Sequence, residues 1–275
     1  MQLTHTLAIG DSEVHYTVLG EGPPILMLHG WGVDHRLMSG PLEALFADDS
    51  LRFRRIYPDL PGMGASRAGA SVRNSDQMLE ILLRFVEAVI PGEDFLLAGE
   101  SYGGHLARGL LREVPARVRG LMLLCPLIVP GYRQGTVPPA RVLERDEALL
   151  SRLSTAEREA FTYITVRQTE AVWRDFARDI YPALAAGDRA FLDTRLDGAF
   201  SRPIHETPLA FDKPALVLLG RQDAEVGYVD QTRLCLDLPR ASVVILDAAG
   251  HNLQIEQKPL FLALVRDWLE RVEGT

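Results

Sequence analysis

Residues 94–104 read DFLLAGESYGG, an apolar run that ends on a serine held between glycines. Residues 95–98 have the length and composition of a buried strand, and residues 106–113 carry a helical pattern, so Ser101 falls on a strand-to-helix turn. The spacing Gly99-x-Ser101-x-Gly103 suits a very sharp turn, because side chains at its flanks would collide with neighbouring backbone. Such a turn pushes the serine hydroxyl into the open. The competing reading is a Gly-rich turn with an ordinary capping serine, and the flanking sequence discriminates between the two.

Upstream, residues 3–9 and 13–19 alternate as a hairpin around Gly10-Asp11-Ser12, and residues 24–28 read as the first internal strand. A helix over 37–46, a strand over 53–57 and a long helix over 74–90 follow, the last opened by Asn74 and Gln77 in a capping-box arrangement. After the central strand and its helix comes a very apolar strand at 118–124. From Pro126 to about Pro208 the alternation stops, and the stretch is helical in pattern. Alternation resumes with 215–219, 226–238, 242–246 and 259–272. Repeated βα units predict an α/β fold: a mostly parallel central sheet of about eight strands, helices on both faces, and one helical insertion after the sixth strand.

The 275 residues are 47% apolar and carry a formal charge of −8 with no block of like charges, which argues against nucleic acid or an acidic membrane surface as partner. The opening MQLTHTLAIGDSEVHY lacks a basic n-region and an unbroken apolar h-region, and no apolar run approaches the roughly 20 residues of a membrane span. A soluble, cytoplasmic protein with no membrane span is expected. Cys125 and Cys235 are too few for a disulfide framework and lack metal-ligand spacing, so reduced core thiols are expected.

In an open parallel sheet, ligands bind beyond the carboxyl ends of the strands. The residues found there are His29-Gly30-Trp31-Gly32, the run from Asp59 to Ser66, Ser101, Gly220-Arg221-Gln222-Asp223, and Ala249-Gly250-His251-Asn252. A serine hydroxyl is a weak nucleophile at neutral pH and needs a base, which in turn needs a carboxylate to hold its tautomer. His251 and Asp223 fit those roles, and the backbone N–H groups of Trp31 and Tyr102 are placed to serve a developing oxyanion. Asp230, Asp247 and Glu225 are rivals for the acid, with Asp247 second because it lies near His251 in sequence. Glu100 is expected beneath the turn, since strand alternation points it opposite to Ser101. His29 is expected to organise its loop, and Asp59 and Ser66 to brace theirs. Trp173, Tyr163 and Tyr181 are read as core of the insertion, and His5, His15, His35, His105 and His205 receive no role.

With HGWG at 29–32, DLPGMGAS at 59–66, GESYG at 99–103, GRQD at 220–223 and AGHN at 249–252 in this order, each behind a strand, the chain resembles α/β-hydrolase-fold serine hydrolases with a cap domain along essentially its whole length. The resemblance implies a Ser101-Asp223-His251 triad, an oxyanion loop, and a lid formed by residues 126–208 over a core of residues 1–125 and 209–275. Pro126, Pro130, Pro138 and Pro139 at the entry, with Pro203 and Pro208 at the exit, suggest stiff stalks and a mobile cap. The expected activity is hydrolysis of a small or medium carboxylic ester through an acyl-enzyme, with a small-molecule substrate and without metal or organic cofactor. The alternatives are C–C bond, amide, aminopeptidase or thioester hydrolysis by the same triad, or a ligand-binding relative without catalysis. HGWG departs from the Gly-Gly-Pro-Gly loop of proline-iminopeptidase relatives, and Ser101 from the elbow aspartate of haloalkane and epoxide hydrolases.

Overall fold

The computed structural model describes residues 2–47, 50–130, 135–201 and 211–274; Pro203, His205, Pro208 and the side chain of Cys235 lie outside the described set. An N-terminal hairpin, β1 (Gln2–Ile9) and β2 (Ser12–Leu19), turns through Gly10 in the left-handed region. It is followed by β3 (Pro24–Leu28), α1 (Arg36–Leu42), β4 (Arg54–Pro58), α2 (Ser75–Val89), β5 (Phe95–Glu100), α3 (Ser101–Glu113) and β6 (Val118–Leu124). Asn74 and Gln77 form a reciprocal capping box at the start of α2, satisfying donors that the first turn leaves open.

Between β6 and the next strand of the large sheet lie two short paired strands, β7 (Glu144–Arg145) and β8 (Arg167–Gln168). The same stretch holds α4 (Glu147–Arg152), α5 (Thr155–Ile164), α6 (Glu170–Asp179) and α7 (Arg189–Thr194). The chain then returns to the sheet with β9 (Ala215–Gly220), α8 (Leu234–Asp237), β10 (Ala241–Leu246), α9 (Leu253–Glu256) and α10 (Lys258–Glu273). The eight strands are ordered β1-β2-β4-β3-β5-β6-β9-β10, and every pairing from β4 onward is parallel.

The strands β3, β4, β5, β6 and β9 are largely buried on both faces, and their side chains divide by parity. Leu26, Leu28, Leu97 and Val217 pack with α2 and α3 on one side; Ile25, Met27, Ala98 and Leu218 pack with α1 and α10 on the other. A third cluster joins Phe161, Val172, Phe176 and Ile180 of the insertion to Val33 in the loop after β3, Leu37 of α1 and Ile255 of α9. The insertion is also pinned by polar contacts: Lys258 Nζ meets Asp175 at 2.9 Å, and the Asp188 N–H donates to the Gly62 carbonyl at 2.9 Å.

One expected helix starts late and opens as a 3₁₀ turn. Residues 226–238 form only a 3₁₀ turn at Asp230–Arg233 and the four-residue α8. Gly227 has φ of 75° and packs so closely that an added Cβ would stand 2.2 Å from the Thr136 carbonyl, so the chain cannot enter a helix at that point. The helix after the central strand is, by contrast, longer than expected and begins on Ser101 itself.

Candidate active site

Ser101 sits at φ 52°, in the left-handed region that a non-glycine residue adopts only under constraint. The constraint is close packing on both sides. A Cβ on Gly99 would stand 2.4 Å from the Gly103 carbonyl, and one on Gly103 would stand 2.4 Å from the Leu28 carbonyl. The two glycines therefore let β5, α3 and the end of β3 approach closely enough to lift the Ser101 hydroxyl out of the sheet.

That hydroxyl donates to His251 Nε2 at 2.9 Å, and His251 Nδ1 donates to Asp223 Oδ2 at 2.8 Å. Asp223 is fully buried, and its second oxygen accepts the N–H groups of Glu225 at 2.9 Å and Val226 at 3.0 Å. Burial disfavours the His251 imidazolium, but the Asp223 carboxylate beside it more than compensates and raises its pKa above the usual histidine range. The rivals for the acid face elsewhere. Asp247 accepts from Gln222 Nε2 at 2.8 Å on the surface, Asp230 accepts the Thr136 N–H at 2.6 Å, and Glu225 lines the cavity.

The Tyr102 N–H belongs to the first turn of α3, whose donors have no intrahelical acceptor. Trp31, in the loop after β3, packs its ring edge-on against Tyr102 at 5.0 Å and lines the same cavity as Ser101. His29 is wholly buried under this loop, with Nδ1 2.8 Å from the Gly30 carbonyl and Nε2 accepting the Leu60 N–H at 2.9 Å. Asp59 is held by His35 Nδ1 at 2.8 Å, by His15 Nδ1 at 3.2 Å, and by the N–H groups of His35 and Ala65 at 2.9 Å each. Burial pushes its pKa up, but the histidine contacts prevail and hold it below the usual carboxylate range. His15 and His35 thus brace the loop with Asp59, a pairing across 44 and 24 residues that local pattern does not reveal.

Glu100 is not beneath the turn. Its Oε1 lies 3.3 Å from His251 Nε2, and its other oxygen fills the space that a Cβ on Gly30 would occupy. The two-residue alternation of a strand ends where Ser101 takes a positive φ, so the rule that sends neighbours to opposite faces does not extend across the elbow. Burial pushes the Glu100 carboxyl up to about 8, with His251 drawing it down and Asp223 raising it. Cys125, also buried here, has its thiol pushed up to about 12 by burial.

A cavity of about 760 Å³ opens above Ser101. Val33 in the loop after β3 and Leu37 of α1 line it from below, and Ile164, Phe176, Ile180 and Leu184 from the insertion. Tyr163 lines it too and is 60% exposed, which corrects its assignment to the core of the insertion; Trp173 and Tyr181 pack with Phe176 as expected. Among the described residues, two groups bring metal-ligand atoms within 4.8 Å of one another: His15, His35 and Asp59, and Cys125, Asp223 and His251. Ordinary hydrogen bonds already occupy the carboxylates of both groups. No helix among the described residues is long and apolar enough to cross a membrane.

Fold and site together define a hydrolase of the α/β class. The chain belongs to the Alpha/beta hydrolase family, whose pattern it matches over residues 25–263. It is 27% identical over 266 residues to the pimeloyl-[acyl-carrier protein] methyl ester esterase of Shewanella oneidensis, covering 93% of this chain and 94% of that one. To the protein of the same name from Nitrosomonas europaea it is 36% identical over 113 residues, 41% of either chain. It is 28% identical over 266 residues to the 2-hydroxymuconate semialdehyde hydrolase of Pseudomonas putida, covering 93% of this chain and 90% of that one. Among solved structures, an alpha/beta superfamily hydrolase from Oenococcus oeni superposes with a TM-score of 0.87 at 29% identity, over 94% of this chain and 96% of that one.

Proposed function

We propose that the protein is a serine hydrolase that cleaves small or medium carboxylic esters through an acyl-enzyme. The observation that carries the reading is the continuous relay from Ser101 Oγ through His251 to buried Asp223, at 2.9 and 2.8 Å, on a strained elbow that opens into an apolar cavity. Neutral His251 takes the hydroxyl proton on Nε2 as Ser101 attacks the ester carbon, and Asp223 stabilises the imidazolium. The carbonyl oxygen, now an anion, faces the N–H groups of Trp31 and Tyr102, each worth about 3 kcal/mol of transition-state stabilisation. His251 then returns the proton to the departing alkoxide, and water resolves the acyl-enzyme by the same route in reverse.

Residues 126–208 act in this reading as a lid over a core of residues 1–125 and 209–275. The supporting observation is that α5, α6 and the segment around Leu184 supply much of the cavity wall. A cytoplasmic place of action belongs to the same proposal and is supported by the unpaired, buried Cys125 thiol. The names of the esterase relatives favour esters over the other bonds that such a relay can cleave.

A fluorophosphonate should label Ser101 in the native protein, and Ser101→Ala should abolish labelling and lower turnover of p-nitrophenyl esters by on the order of 10⁴-fold or more. Retained ester turnover in Ser101→Ala would remove the mechanism. Turnover of thioesters or amides, with none of esters, would keep the relay and replace the substrate class.

A further inference from the structure

Among the described residues, the ionisable side chains lining the cavity apart from His251 are acidic: exposed Glu159 and Asp197, half-buried Glu225, and buried Glu100, whose carboxyl, pushed up to about 8, is mostly protonated at neutral pH and adds little charge. Elsewhere in the protein acidic groups hold arginines: Glu43 with Arg55, Glu144 with Arg167, Asp179 with Arg178. No described lysine or arginine pairs with Glu159, Asp197 or Glu225. Asp197 spends one oxygen on the Ala199 N–H at 3.0 Å, and Glu225 uses its own N–H on Asp223. Two arginines lie close by: Arg141 lines a small adjoining recess of about 90 Å³ that shares Glu225 and His251 with the main cavity, and Arg189 Nη1 stands 3.6 Å from where a Cβ on Gly32 would lie.

We propose that this cavity selects esters whose acyl chain is apolar and uncharged, and that its carboxylates reject chains ending in a carboxylate. The inference rests on the ester-hydrolase reading and names the substrate class for it. An uncharged chain end meets the aliphatic and aromatic walls and gains from leaving water. A carboxylate in the same place gives up hydration and meets like charge, with no lysine or arginine among the described cavity-lining residues to offset it, so it is disfavoured twice. The discrimination is built by repulsion as well as by fit. The acid released by hydrolysis carries a new negative charge into the same field, which favours its departure.

Three compounds of matched length separate charge from polarity: p-nitrophenyl octanoate, mono-p-nitrophenyl suberate, and the same suberate with its free end capped as a methyl ester. The expected kcat/KM for the free acid is about tenfold or more below that of the capped ester, with a gap that narrows as salt is added. Asp197→Lys and Glu225→Lys should each shrink the ratio of capped to free several-fold. A free acid turned over as well as the capped ester, or a ratio unmoved by salt and by both lysine variants, would overturn the proposal. If no ester is turned over, the ester reading has failed, and equilibrium binding of the capped and free compounds to Ser101→Ala still decides this one: weaker binding of the acid supports the charge rule, equal binding overturns it.

Discussion

Replacing Glu100 with glutamine should stabilise the protein at pH 7.5 and leave it nearly unchanged at pH 4.5. The Glu100 carboxyl is buried beside His251, Asp223 and Cys125, and burial lifts its pKa from 4.5 to about 8. A raised pKa means that the folded state holds this proton to higher pH than the unfolded chain does. The contribution is therefore whole below pH 4.5 and is lost as pH rises toward 8. Each unit is worth about 1.4 kcal/mol, so over the three units to pH 7.5 the wild-type fold has given up about 4 kcal/mol that an uncharged glutamine of the same shape keeps. For a chain of this size that corresponds to a melting temperature roughly 5 to 10 °C higher in Glu100→Gln. Scanning calorimetry of both proteins between pH 4.5 and 8.5 measures the gap directly. A gap that does not widen with pH, or a variant less stable than wild type at pH 7.5, would refute the reasoning. Turnover at pH 7 should stay within about tenfold of wild type, because glutamine stands in for the protonated acid beside Nε2.

Asp223→Asn should lower kcat by on the order of 10⁴ by favouring the wrong His251 tautomer, whereas Asp247→Asn should change it little; steady-state kinetics on one ester settle which carboxylate orients the base. Gly103→Ala places a Cβ 2.4 Å from the Leu28 carbonyl, a backbone atom that cannot move aside. It should destabilise the fold by on the order of 3 kcal/mol, read as a lower denaturation midpoint in urea. Tyr163→Ala, at an exposed cavity-lining position of α5, should change KM across an ester chain-length series more than kcat; an unchanged KM series would remove the insertion's part in specificity there.

The fold was legible in the sequence because its determinants are local. Buried parallel strands such as 118–124 read as unbroken apolar runs, the Asn74 and Gln77 box marks a helix start within four residues, and the elbow declares itself by glycines two residues either side of Ser101. Where close packing overrode local pattern, the boundary moved: the left-handed Gly227, close against Thr136, delays the helix expected over 226–238 to Asp230, where it opens as a 3₁₀ turn before α8.

The site divides in the same way. Its five loops could be found from sequence because each follows a strand directly, and strand ends are marked by period and glycine. Which groups meet across those loops depends on sheet order, which brings Ser101 and His251 together over 150 residues and His251 and Asp223 over 28. No periodicity extends that far, so sequence alone leaves Asp247 beside Asp223 as a candidate acid, and only the fold turns its side chain toward Gln222. The side on which Glu100 falls was set by one backbone torsion at Ser101, and the acidic lining of the cavity by carboxylates from four separate segments. Charge counted along the chain averages those carboxylates with distant arginines. Only the folded chain gathers them around one space, where no described lysine or arginine pairs with Glu159, Asp197 or Glu225.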